Sequence, residues 1–212
     1  MPIAYHDGTG YTSAMIEAGP TPLIAPSDWA FHFETGRRCL DFVATLGDRA
    51  HLAFDRWRVP ADLSRWCVEA GMLKVAPALD ARHLEQARLL RESIYRTIDA
   101  VRAERRPKQR DIEELNRWAV QPALAPQLER DGRTVKWKSG KPLDAVLATV
   151  ARDAIELVSD PDLDRVHKCA ATSCSVLFLD TSRPGKRRWC SMSRCGNRMK
   201  KATYRQRQRK KI

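Results

Sequence analysis

The 212-residue chain has no apolar run approaching the roughly 20 residues that a membrane-crossing helix needs. A soluble protein is therefore expected. Met1 to Pro26 lack a basic leader region followed by an apolar stretch, so no secretory signal is expected and the cytosol is the default compartment. The chain also lacks a glycine-rich phosphate loop, a His-Glu-x-x-His and a Gly-x-Ser-x-Gly. No catalytic residue is assigned, and a non-enzymatic role is expected. His32, His51 and His83 stand alone in the sequence, and such histidines read as surface or core residues rather than ligands. Acidic side chains, finally, are missing from the whole segment beyond Asp180.

That last absence localises the net charge of +12. From Arg183 to Lys211 there are 13 Lys and Arg and no Asp or Glu, whereas residues 1–182 hold 25 basic and 26 acidic side chains. A near-neutral body with one cationic end points to a polyanion, nucleic acid ahead of an anionic membrane face. The plain alternative is a solvated basic tail.

With 43% hydrophobic and 30% charged residues, the chain can fold as one cored domain plus a small module. Residues 1–27, rich in Gly and Pro, read as a flexible lead-in. Trp29 to Phe33 alternate large and small residues up to Gly36, which predicts a short strand. Leu40, Phe42, Val43 and Leu46 recur at helical spacing. Pro60 opens a helix with the stripe Leu63, Trp66, Cys67 and Ala70, ended by Gly71. A longer helix begins near Asp80 and stops before Pro107, and another carries Ile112, Leu115, Trp118 and Ala119 up to Pro122. Arg133 to Lys138 read as a strand. Pro142 opens the last body helix, with Leu143, Val146, Leu147, Val150, Ala154 and Leu157 inward and Asp160-Pro161 closing it. Cys39 and Cys67 fall in apolar helical patterns and read as buried free thiols. The fold class is mainly α (α+β), a helical body with minor strands.

The other four cysteines form two pairs, Cys169-x4-Cys174 and Cys190-x4-Cys195, separated by fifteen residues. Each pair can bend into one side of a tetrahedron, and four thiolates close a structural zinc site with no open position. Two disulfides or a redox-active thiol cluster are the rivals, disfavoured by a reducing compartment. His167 is an alternative ligand. Val176 to Leu179, the turn Ser182-Arg183-Pro184-Gly185 and the return through Lys186 to Trp189 read as a hairpin, and a helix is expected after Cys195. Knuckle, hairpin and helix around one zinc form a treble-clef-like finger, which depends on the metal for its stability.

Arg183, Lys186, Arg187, Arg188, Arg194, Arg198, Lys200 and Lys201 stand on or beside that site. Arginine suits phosphate and guanine, and Asn197 suits adenine. Arg205 and Arg207, with Arg209, Lys210 and Lys211, suit sequence-independent phosphate contacts. Trp189 is expected to pack the small finger core rather than to stack on a base.

Trp189-Cys190-Ser191-Met192, Cys195-Gly196-Asn197-Arg198 and Lys200, with Phe178-Leu179-Asp180-Thr181-Ser182-Arg183 upstream, resemble the signature of CGNR zinc-finger proteins over about Cys169 to Arg209. In that family the finger follows an ABATE domain, ascribed to stress-induced transcription regulators. The body resembles that domain over about residues 29–160, chiefly at Gly36 and Cys39-Leu40-Asp41-Phe42-Val43-Ala44-Thr45. Ala44 stands where the family pattern usually has Asn. The resemblance implies a bacterial DNA-binding regulator, cytoplasmic and nucleoid-associated, organised as lead-in 1–27, helical domain 28–160 and finger with basic helix 161–212. The helical domain would sense a signal or form a homodimer. An RNA- or ribosome-binding protein and a zinc-thiolate redox switch are the competing functions.

Overall fold

The computed structural model describes Ile24 and residues 26–209; the expected lead-in falls almost wholly outside them. Among the described residues the body is built from five α-helices, and each boundary has a local cause. α1 spans Arg38–Val43. α2, Pro60–Glu69, starts on its proline, and the Asp62 carboxylate accepts from the Arg58 and Val59 amides at 3.0 and 3.1 Å, satisfying donors left over at the helix start. Gly71 follows it at φ +67. α3, Ala81–Arg102, is capped by Asp80, which accepts from the His83 amide at 3.0 Å. α4 is Gln109–Ala119 and α5 is Pro142–Ser159.

α3, α4 and α5 pack on one another, with α1 laid against α5 and α3. Their apolar stripes meet in a core containing Leu40, Leu63, Leu90, Ile94, Ile98, Val146, Leu147, Val150 and Leu157, all buried. Phe42, Trp57 and Trp66 form an edge-to-face trio with centroids 4.9 to 6.0 Å apart, a geometry that aligns ring edges with ring faces. Cys39 and Cys67 are buried free thiols. Arg91, which the helical stripe of α3 also brings inward, is 3% exposed. It is neutralised by a bidentate pair with Asp55, both bonds 2.8 Å, because a buried guanidinium without a partner would be costly.

Among the described residues, three antiparallel two-stranded ladders complete the fold. β1, Leu46–Gly47, pairs with β2, Phe54–Asp55, so Leu46 leaves the helical pattern it shares with Leu40. β3, Ala125–Leu128, pairs with β4, Val135–Lys138. Pro126 conceals β3 in the sequence; it is tolerated because this hairpin is isolated and exposed on both strands. β5, Val166–Lys168, pairs with β6, Leu177–Leu179.

The strand expected at Trp29 to Phe33 does not form. Pro26–Trp29 is a 3-10 turn, and the carbonyls that follow are taken by arginines instead of a partner strand. Arg56 Nε donates to Ala30 O at 3.0 Å, and Arg194 donates to Ala30 O and Phe31 O at 3.1 and 3.3 Å. No helix among the described residues is long and apolar enough to cross a membrane.

Candidate metal centre and nucleic-acid interface

Cys169 follows β5, and its amide donates to Val176 O at 2.9 Å, which closes the first knuckle. Inside that loop the Cys174 amide donates to Ala171 O at 3.0 Å. The hairpin therefore differs from the expected one: β6 turns back onto β5 around the first cysteine pair, and residues 186–189 form no strand. Asp180 is the reason. Its carboxylate accepts from the Ser182 and Arg187 amides at 2.9 and 2.8 Å, so the turn is held by a side chain and its backbone is diverted from ladder pairing. One bond, Ala170 N to Arg188 O at 2.9 Å, ties the return segment to the knuckle. Cys190 precedes a π-helical turn, Met192–Gly196, that contains Cys195 and runs directly into α6, Asn197–Arg209.

The four Sγ atoms lie within 4.8 Å of one another, the only such ligand cluster among the described residues. Cys174 and Cys190 sulfurs are 3.8 Å apart, and those of Cys190 and Cys195 are 3.6 Å apart. A tetrahedron of zinc–sulfur bonds near 2.3 Å places its sulfurs about 3.8 Å apart, so the set fits zinc. All four cysteines are free of disulfides. Three are buried and Cys174 is partly so. The Cys190 amide donates to Cys169 Sγ at 3.4 Å, a contact that favours thiolate. Hydrogen bonds from Cys174, Cys190 and Cys195 hold the Cys169 thiol below its usual range. Ala44, Ala171, Val176 and Phe178 wall the cluster, with Trp189 and Met199 packed against it. Trp189 thus packs, as expected. His167 lies outside, its ring edge-on to Phe178 at 6.0 Å.

The expected nucleic-acid residues divide sharply. Three have their guanidinium groups engaged within the chain. Arg187 donates to Trp189 O at 2.9 Å, to Glu34 O at 3.2 Å and to Cys190 O, and it lies 4.7 Å over the Phe178 ring. Arg194 bonds His32 Nε2 as well as the Ala30 and Phe31 carbonyls. Burial first, and Arg194 next, push the His32 pKa down to about 3, so the ring is neutral and accepts. Arg198 pairs with Asp28 at 2.6 Å and donates to Ser173 Oγ at 3.4 Å. These three fasten the finger to the body. The other eight, Arg183 and Lys186 at the turn, Arg188 beside Trp189, and Asn197, Lys200, Lys201, Arg205 and Arg207 on α6, are exposed.

Asp28, His32 and Glu34 are partners that a reading of the sequence passes over, as is Ser175, whose Oγ accepts from the Arg49 amide at 2.8 Å. No local pattern marks them, since each partner lies more than 100 residues away.

A closed four-thiolate site, set between a hairpin and a helix, defines a zinc-finger protein. Residues 165–208 match the CGNR zinc finger. Residues 36–161 match the ABATE family, described as "Putative stress-induced transcription regulator". The chain belongs to that family. A comparison with curated proteins finds no match.

Proposed function

We propose that the chain is a bacterial transcription regulator that binds DNA through its finger, with one structural zinc held by Cys169, Cys174, Cys190 and Cys195 and no catalytic activity of its own. The observation that carries this reading is α6. It leaves the zinc cluster directly, has no acidic residue, and exposes every side chain from Lys200 to Gln208. A helix of like charges repels itself, and a phosphate backbone relieves that repulsion while releasing counterions. Arg183, Lys186 and Arg188 extend the cationic surface from the turn, and Asn197 adds an amide suited to adenine.

In this reading the chain comprises a lead-in (1–27), an ABATE-like domain (28–160) and the finger with its basic helix (161–212), and it acts in the cytoplasm at the nucleoid. The helical domain senses a stress signal or pairs two copies, so that two fingers read two half-sites. The test is selection of sites from random duplex DNA by the zinc-loaded full chain at fixed near-physiological salt. A recurring motif supports the reading. Uniform retention, or preference for RNA, overturns it.

A further inference from the structure

Successive residues of an α-helix turn by about 100°. Asn197, Tyr204 and Gln208 therefore share one face of α6, within about 40° of one another. Lys200 and Arg207 flank that face on one side, and Lys201 and Arg205 on the other. All seven are exposed, and Tyr204 is 64% exposed. Neutral hydrogen-bonding groups thus run down the centre of a strip edged by cations.

The structure also fixes which way the strip faces. Met199, on the opposite side of the helix, packs against the cysteine cluster, and Arg198 on the flank is tied to Asp28 at 2.6 Å. The helix cannot roll without breaking both contacts. Asn197 and Gln208 are separated by a rise of about 16 Å, which spans about five base steps at 3.4 Å each.

We infer that Asn197, Tyr204 and Gln208 are the base-reading residues of α6 lying in the major groove of duplex DNA, and that Lys200, Lys201, Arg205 and Arg207 grip the phosphates on either side. This rests on the DNA-binding reading above. Amides are matched to adenine edges, the phenol adds one donor and acceptor, and the flanking cations reach the two strands that wall the groove. The edge lysines and arginines supply affinity without sequence information, whereas the three central residues supply the discrimination.

The test compares the zinc-loaded full chain with Asn197→Ala, Tyr204→Ala, Gln208→Ala and Arg205→Ala, each checked for zinc content and helicity, in site selection and in salt titration of the selected duplex. Each of the three central variants is expected to relax the motif at one or two positions and to reduce preference over random duplex by about 5- to 100-fold, with an unchanged salt slope. Arg205→Ala is expected to keep the motif and lower the slope of log K against log salt by about 1. A motif that survives all three central substitutions overturns this assignment while leaving DNA binding intact. A native chain that selects no motif overturns the assignment and the DNA reading together.

Discussion

Leu177 and Phe178 are neighbours on β6 but belong to different cores. Leu177, with Leu179, is buried in the helical body, whereas Phe178 is buried against the zinc cluster. Alternation along a strand sends successive side chains to opposite faces, so this one strand is a wall of both. Leu179 N also donates to Thr35 O at 2.7 Å, and Arg187, Arg194 and Arg198 reach from the finger to the segment between Asp28 and Glu34. Events at the metal are thereby connected to the packing of the body.

Removal of zinc is the first consequence. One zinc per chain is expected, with none retained by Cys190→Ser. Chelation should lower the melting temperature of the body helices together with the finger, in a single transition, because β6 loses one of its two supports. Circular dichroism with and without chelator checks this. A body that melts at an unchanged temperature after metal loss would contradict it.

Phe178→Ala should destabilise the chain by roughly 3–5 kcal/mol, the usual cost of emptying a buried aromatic site, and should weaken zinc retention in a competition with a chromogenic chelator. Leu177→Ala, emptying the other face of the same strand, should cost roughly 2–5 kcal/mol with a smaller effect on the metal. Equal effects of both on zinc would show that the two faces are not distinct.

Gly36 approaches the same strand from the other side. It sits at φ +92, and a Cβ there would lie 3.1 Å from Leu179 Cβ and 3.3 Å from Leu179 O. Gly36→Ala combines an unfavourable backbone conformation with a tight contact against Leu179 Cβ and O, so a loss of about 1–3 kcal/mol is expected in urea unfolding. A stability unchanged from the native chain would count against the close approach.

Arg187 and Arg205 should separate structure from binding. Arg187→Ala removes the bonds to Glu34 O and Trp189 O and should lower the melting temperature and zinc retention. Arg205→Ala should leave both untouched and reduce only the salt dependence of DNA binding, by a slope of about 1. The opposite assignment of effects would place Arg187 at the interface after all.

Asp41 gives a pH dependence of known sign. Its Oδ1 accepts from Thr35 N and Oγ1 at 3.2 and 2.7 Å. Burial nevertheless outweighs these bonds and pushes its carboxyl up to about 6. The folded state then holds the proton more tightly than the unfolded chain, whose aspartate titrates near 4. Its contribution to stability falls as pH rises from about 4 to about 6, and is level above. Relative to Asp41→Asn, the native chain should lose about 2–3 kcal/mol across that window, measurable from urea midpoints at pH 4 to 7. Parallel curves for the two proteins would remove Asp41 as the source.

Much of this was legible because its causes are local. Pro60, Asp80 and Pro142 start helices through groups within one turn of themselves, and the inward stripes of α2, α3 and α5 follow from periodicity. Where a distant group competes, local reading fails. The alternation at Trp29 to Phe33 is strand-like, yet Arg56 and Arg194 satisfy those carbonyls. The turn at residues 182–185 is real, but Asp180 holds it by side-chain bonds, and β6 pairs upstream with β5.

The sequence by itself determined the zinc ligands, the mostly helical body and the cationic end, since cysteine spacing, 3.6-residue periodicity and charge are properties of short segments. Tertiary structure decided which cations remain available. Arg187 and Glu34 are 153 positions apart, and Arg194 and Ala30 are 164 apart. A guanidinium is drawn to any carbonyl or carboxylate brought within reach. Only folding brings these together, and only folding shows that Lys200, Lys201, Arg205 and Arg207 are left facing outward.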